Sequence, residues 1–212
     1  MTSLFVTGTS TDVGKTWVTA ALARELTARG QTVRALKPVT SGVRDGPGAD
    51  ALCIAEAAGH PPPAGWTFAA ALSPHRAAAM EGRRVALEEV VAWIEAHRGP
   101  WTIVEGAGGW EVPCDPDWRI SDLAATLRWP VLIVARNQLG SLNHTLLTLD
   151  AVRRRGLTVA GVVLNGGQDE AARTNHEDLA TLAPSVALHT LRQGETDVRA
   201  LVARWLAPAH AG

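Results

Sequence analysis

The chain contains no tyrosine, two phenylalanines and two cysteines. Lysine is nearly absent: among twenty Lys and Arg residues, only Lys15 and Lys37 are lysines. Asparagine is scarce as well. Each shortage excludes something. Cys53 and Cys114 have no partner at metal-ligand spacing, so they read as reduced cytoplasmic thiols without a disulfide. No block of basic residues occurs and the formal net charge is −1, which argues against nucleic acid as the main partner. The longest apolar runs, such as Val131–Ala135, are far too short to span a bilayer. The N-terminus lacks a basic segment leading into an apolar one, so nothing suggests export, and a cytoplasmic protein without a membrane partner is expected.

What remains is ordinary for a globular protein: 46% apolar and 19% charged residues over 212 positions. That length suffices for one α/β domain with a buried core. The background is rich in Ala, Arg, Trp and Gly. Against it, each surviving Lys or Asn marks a position where a substitute does not serve.

Strand-like apolar runs alternate with helical patterns. Strands are expected at Leu4–Thr7, Thr32–Pro38, Trp101–Glu105, Val131–Ala135 and Leu157–Leu164. Helices are expected at Thr16–Arg29, Ala49–Ala58, Leu87–His97, Ser121–Arg128, Leu142–Arg154, Glu170–Leu182 and Asp197–Leu206. Pro61–Pro63 and Gly65 mark a surface loop, not a boundary. This alternation predicts one three-layer α/β domain over residues 1–212, with a mostly parallel sheet covered by helices on both faces, of the P-loop NTPase type. Ligands of such sheets sit beyond the carboxyl ends of the strands. Both lysines fall in segments that follow strands.

Residues 8–16 read GTSTDVGKT, between an apolar strand and a helix. A phosphate-binding loop belongs there: backbone N–H groups and the helix N-terminus face the anion. Gly8 and Gly14 allow backbone geometry that a Cβ would hinder. Lys15 would reach the β- and γ-phosphates and the Thr16 hydroxyl would hold Mg²⁺. A compact ammonium suits this cradle better than the planar fork of arginine. The loop is one residue longer than the usual G-x-x-x-x-G-K-[ST]. A glycine-rich capping turn is the alternative.

Other strand ends carry further candidates. Glu105 closes an apolar run and precedes Gly106, Ala107, Gly108 and Gly109; its carboxylate suits Mg²⁺. Asp50 opens a helix, where an ordinary first-turn acid is a serious alternative. Lys37 ends the second strand, and a second ammonium on one crevice suits a substrate that gains negative charge beside ATP. Ser41 and Thr11 are hydroxyls nearby. Gln138–His144 leads into a helix whose free N–H groups favour a carboxylate, or is a simple capping turn. His75 and His144 have no carboxylate at useful spacing, and no catalytic base emerges.

Taken together, FVTGTSTDVGKT, KPVTSG, SPH with EGR, VEGAGGWEVP, LGSLNH and GLTVAGVVLN resemble the dethiobiotin synthetases, in order, over most of residues 4–165. The resemblance implies a homodimeric, Mg²⁺- and ATP-dependent ligase. It would join CO₂ to 7,8-diaminopelargonate and close the ureido ring of dethiobiotin through a carbamate and a carbamic–phosphoric anhydride, releasing ADP and phosphate. By the same resemblance Lys37 and Lys15 are catalytic, on the carbamate and the phosphates. Thr16, Asp50 and Glu105 are the Mg²⁺ ligands. ATP is held by Asp12, Val13, Gly14, Lys15, Thr16, Trp17, Asp50, Glu105, Gly106, Ala107, Gly108 and Asn165, the last reading adenine. Thr11 and Ser41 contact the diamine, and Gly140, Ser141, Leu142 and Asn143 receive its carboxylate at the subunit interface. Two differences stand out. Asp12 occupies a place where the family often has Glu, and Ala183–Leu191 replaces a Gly-x-Ile-Pro-like turn beside the adenine.

Two rival classes share this type of loop. Amidoligases of the cobyrinate type need a glutamine-hydrolysing domain, for which there is no room. Partitioning ATPases place an extra lysine early in the loop, and residues 8–13 hold none.

Overall fold

The computed structural model describes residues 3–206. The chain begins with strand β1, Ser3–Gly8, buried along its whole length. Helix α1, Lys15–Ala28, follows the loop. Strand β2 is Val33–Leu36, shorter than the expected Thr32–Pro38 by one residue at its start and two at its end. Pro38 has no N–H to donate and ends the ladder. The chain resumes as a separate strand β3, Val39–Ser41, pairing in parallel with β4, Trp66–Phe68. Between them lies α2, Ala49–Ala57. Helix α3, Pro74–Met80, starts with proline inside its first turn, where a missing N–H costs nothing. Helix α4 is Leu87–Ala96.

Strand β5 runs from Trp101 through Gly109, well past the expected end at Glu105. The glycine segment is therefore strand, not loop. Its pairing with β1 shifts between Val6↔Glu105 and Gly8↔Gly109, so extra β5 residues bulge out at the strand end. A short hairpin, β6 (Pro113–Asp115) and β7 (Trp118–Arg119), leads into α5, Ile120–Leu127. Strand β8 (Val131–Arg136), α6 (Ser141–Arg154), β9 (Val159–Asn165) and α7 (Glu170–Leu182) follow. Strand β10, Leu188–Leu191, pairs with β9 inside the stretch read as Ala183–Leu191. Helix α8, Arg199–Leu206, closes the described chain.

The main sheet has six parallel strands in the order β10-β9-β8-β1-β5-β2, one more than the sequence predicts. Alternate residues feed the two faces, as the pleat demands. Leu4, Val6, Ile103, Leu132 and Val134 pack under α1, α2 and α8. Phe5, Val104, Val131 and Ile133 pack against α4 to α7. The result is the predicted three-layer α/β domain. From β1 the chain moves to one side, to β2, and after β5 crosses to the other, to β8. The reversal opens a crevice beyond the ends of β1, β2 and β5.

Candidate active site

At that crevice lies a cleft of about 760 Å³, lined by Thr11, Asp12, Gly14, Lys15, Thr16, Lys37, Ser41, Asp50, Glu105, Ala107 and Gly108. The phosphate loop crosses its floor. Gly14 adopts φ 91°, and a Cβ there would lie 1.9 Å from the Asn165 amide nitrogen. Only glycine combines that conformation with that contact. Helix α1 has no side-chain cap and no acid in its first turn, so its positive end faces the cleft uncompensated.

Both lysines are buried and line this one cleft. The Lys15 ammonium has only a long contact, 3.4 Å to the Ser10 carbonyl oxygen. Burial, and then repulsion from Lys37, lowers its pKa to about 8. An incoming phosphate would favour its charged form and raise that pKa again. Lys37 is the opposite case. Burial pulls its pKa down, but Glu105 and Asp50 outweigh that, and the net shift is upward. Its ammonium donates to Glu105 Oε1 at 2.5 Å and to the Gly106 carbonyl oxygen at 3.2 Å, with Asp50 Oδ2 at 3.4 Å. Asp50 is thus both a first-turn acid of α2 and a cleft residue.

Glu105 is fully buried, and its two oxygens differ. Oε1 takes both Lys37 and the Thr16 hydroxyl, the latter at 2.8 Å. Oε2 is buried with no hydrogen-bond partner. So is the Ser41 hydroxyl. A buried polar atom left unpaired costs on the order of 1–3 kcal/mol, so two of them facing one cleft mark a site built for a ligand. Thr16, Asp50 and Glu105 form an all-oxygen set that suits Mg²⁺. Among the described residues no group of three or more His, Cys, Asp or Glu could enclose a metal. Mg²⁺ usually keeps several waters and shares its shell with phosphates, so it needs few protein oxygens.

Other candidates lie outside the cleft lining. Val13 is packed in the core, while its neighbour Asp12, which does line the cleft, adopts φ 57°. The Asn165 side chain donates to the Val13 carbonyl oxygen at 3.0 Å, on the back of the phosphate loop. Trp17 is half-exposed, and its indole donates to the Glu195 carbonyl oxygen at 2.8 Å. Gly140–Asn143 do not line the cleft within one chain; they begin α6, across β8. A smaller cleft of about 360 Å³ adjoins the first, sharing Thr11 and Val112 with it, and reaches Leu147, Thr148 and Ala151 in the middle of α6, short of the Gly140–Asn143 end. Sequence reasoning missed Val39, Thr40, Ala71, Leu72, Ser73, Pro74 and Val112, which complete the lining. The Ser-Pro start of a helix was the available signal for two of them.

Fold and site together define a P-loop nucleotide-binding protein. The cell division protein FtsY of Thermotoga maritima shares the fold at a TM-score of 0.50 and 14% identity, over 91% of this chain and 62% of that one. A family model described as an AAA domain matches residues 2–197. The ATP-dependent dethiobiotin synthetase of Anaeromyxobacter dehalogenans is 45% identical over 201 residues, 87% of this chain and 90% of that protein. That of Aquifex aeolicus is 41% identical, over 81% of this chain and 80% of its own length. The Bacillus subtilis enzyme is 38% identical, over 86% and 83%. The chain belongs to the dethiobiotin synthetase family of ATP-dependent ligases.

Proposed function

We propose that this ligase uses ATP and Mg²⁺ to carboxylate 7,8-diaminopelargonate with CO₂ and close the ureido ring of dethiobiotin. One substrate amine adds to CO₂ and loses a proton, giving a carbamate. The γ-phosphoryl group passes to a carbamate oxygen and ADP leaves. The second amine attacks the carbonyl carbon of the anhydride, expelling phosphate and closing the ring.

The observation that carries this reading is the convergence of the chain's only two lysines on one cleft, with Glu105 between Lys37 and Thr16. Phosphoryl transfer needs positioned charge more than covalent help from the protein. Lys15 Nζ binds the phosphates, and its lowered pKa makes their charge especially welcome. Lys37 Nζ binds the carbamate oxygens. Its Asp50 contact is the longest and the most exposed, so it is the one to yield. Thr16, Asp50 and Glu105 would hold Mg²⁺, which when bound neutralises charge on the phosphates. The Ser41 hydroxyl, free in the cleft, orients an amine. Holding both amines beside the activated carbon makes ring closure effectively unimolecular.

ATP lies along Asp12–Trp17 and Gly106–Gly108, with Asn165 at the base. The α6 end, Gly140–Asn143, takes the substrate carboxylate of the partner's cleft in a homodimer. A cytoplasmic setting accords with the two free thiols, Cys53 and Cys114. The test is incubation with diaminopelargonate, bicarbonate, Mg²⁺ and ATP, followed by mass spectrometry. Formation of dethiobiotin with one ADP per ring is expected; ATP consumption without it would end the proposal.

A further inference from the structure

Helix α7 buries only two side chains fully, and one is not apolar: Asn175, beside Leu179. Asparagine is seldom found so deep unless its amide is used. Here it is used twice. The Asn175 amide nitrogen donates to Asn137 Oδ1 at 2.9 Å and to the Gln138 carbonyl oxygen at 3.1 Å. Asn137, equally buried, donates in turn to the Ala172 carbonyl oxygen at 3.1 Å. Two scarce residues thus bolt α7 to the turn between β8 and α6.

The same turn carries further hydrogen bonds. Asn137 N–H donates to the Asn165 carbonyl oxygen at 2.9 Å, and Gln138 N–H to the Ser141 hydroxyl at 3.1 Å. That hydroxyl donates to the Arg136 carbonyl oxygen. Leu139 N–H donates to Asp169 Oδ2 at 3.0 Å, while Asp169 Oδ1 caps α7 through Ala172 N–H. Beyond this clamp Gly140 turns at φ 89° and α6 starts with no side-chain cap and no acid in its first turn. A buried amide that supplies two donors is more than packing requires; leucine would bury as well and leave the turn free.

We infer that Asn175 is a positioning residue for the carboxylate end of the substrate, fixing through Asn137 and Gln138 the turn that aims the α6 N-terminus, with Asp169 as a second tether. The inference rests on the assignment of Gly140–Asn143 above. Two variants test it. Asn175→Asp keeps the shape and removes both donors. Asp169→Asn keeps an oxygen for the α7 cap and loses the acceptor for Leu139 N–H; lying at the surface, it keeps the test alive if the first variant does not fold.

Steady-state kinetics should be run with the diamino acid, with a diamine of the same length lacking the carboxylate, and with varied ATP. For the acid, KM should rise about tenfold in Asn175→Asp and about threefold in Asp169→Asn, the range one lost hydrogen-bonding contact gives. KM for ATP should stay within about twofold, and the variants should treat the carboxylate-free diamine as the wild type does. Equal losses on both diamines, or a matching loss for ATP, would make the clamp merely structural. Unchanged kinetics in the folded variants, with the wild type preferring the acid, would overturn the inference alone. A wild type with one KM for both diamines would instead overturn the α6 assignment beneath it.

Discussion

Glu105 is the residue on which the others depend. It sits buried midway along β5 and shares one oxygen between an ammonium and a hydroxyl from two different segments. Removing Lys37 strands that buried carboxylate, which is costly because a charge without a partner has no water to turn to. Lys37→Ala should therefore lower both stability and ring formation, the latter by about 10²–10³-fold, the loss typical of one charge-stabilising donor. ATP affinity, measured by calorimetry, should remain within a few-fold; normal turnover would remove Lys37 from the reaction. Lys37→Arg should be nearly as inactive, because a planar fork does not fit a slot only 7% exposed. Asn165 is a gentler case. Its amide supports the loop through Val13, so Asn165→Ala should weaken ATP binding about three- to tenfold. An unchanged affinity and an unchanged preference among nucleotides would dismiss it as the adenine reader. The lysines were legible because the chain holds so few. Asn175 was not, since its place depends on how α7 docks, which no local pattern encodes.

Among the elements, β2 is an edge strand of the sheet, buried by its neighbours, and a side chain covers part of its free edge. His60 Nε2 accepts the Ala35 backbone N–H at 3.0 Å, and its Nδ1 pairs with the Pro61 carbonyl oxygen at 2.9 Å. This pattern requires the neutral ring. Burial, with Arg34 nearby, holds the His60 pKa below its ordinary 6.5. The unfolded chain therefore takes the proton first as pH falls. Stability from this group is present above about pH 6.5 and declines below it, toward the folded pKa. His60→Ala should cost about 1 kcal/mol at neutral pH and flatten the loss of Tm between about pH 7.5 and about pH 5. A variant with the wild-type slope would show that other groups set the acid limit. Most elements were readable from periodicity, and α7 matches its expected bounds, Glu170–Leu182. The misses share a physical cause. Strand β10 is four residues long, mostly half-buried, and carries His189 and Thr190, so it lacks an apolar run. Strands β3 and β4 have three residues each and exist by tertiary pairing. In β5 the glycines suggested a loop, yet the strand runs on to Gly109, which pairs with Gly8 of β1.

At the scale of the whole molecule, two leucines at α6 are left largely in solvent. Leu139 and Leu147, before and within α6, are 83% and 61% exposed. Leu147 lines the smaller cleft together with Trp110 and with Thr11, which also borders the lysine cleft. A leucine left in water at the mouth of a site is worth covering: burying one contributes roughly 1.5–3 kcal/mol. A second copy docked on this face would cover both leucines and carry its own α6 end toward the neighbour's cleft. Light scattering should then give about twice the 22.4 kDa chain mass at working concentration. Leu147→Glu would place a carboxylate in the joint and should shift the protein to monomers. In that variant ATP should bind nearly as before, because the phosphate loop lies within one chain, while KM for the diamino acid should rise. A native protein that is monomeric and fully active would defeat the shared site; a monomeric variant with unchanged kinetics would keep the dimer and confine each cleft to a single chain.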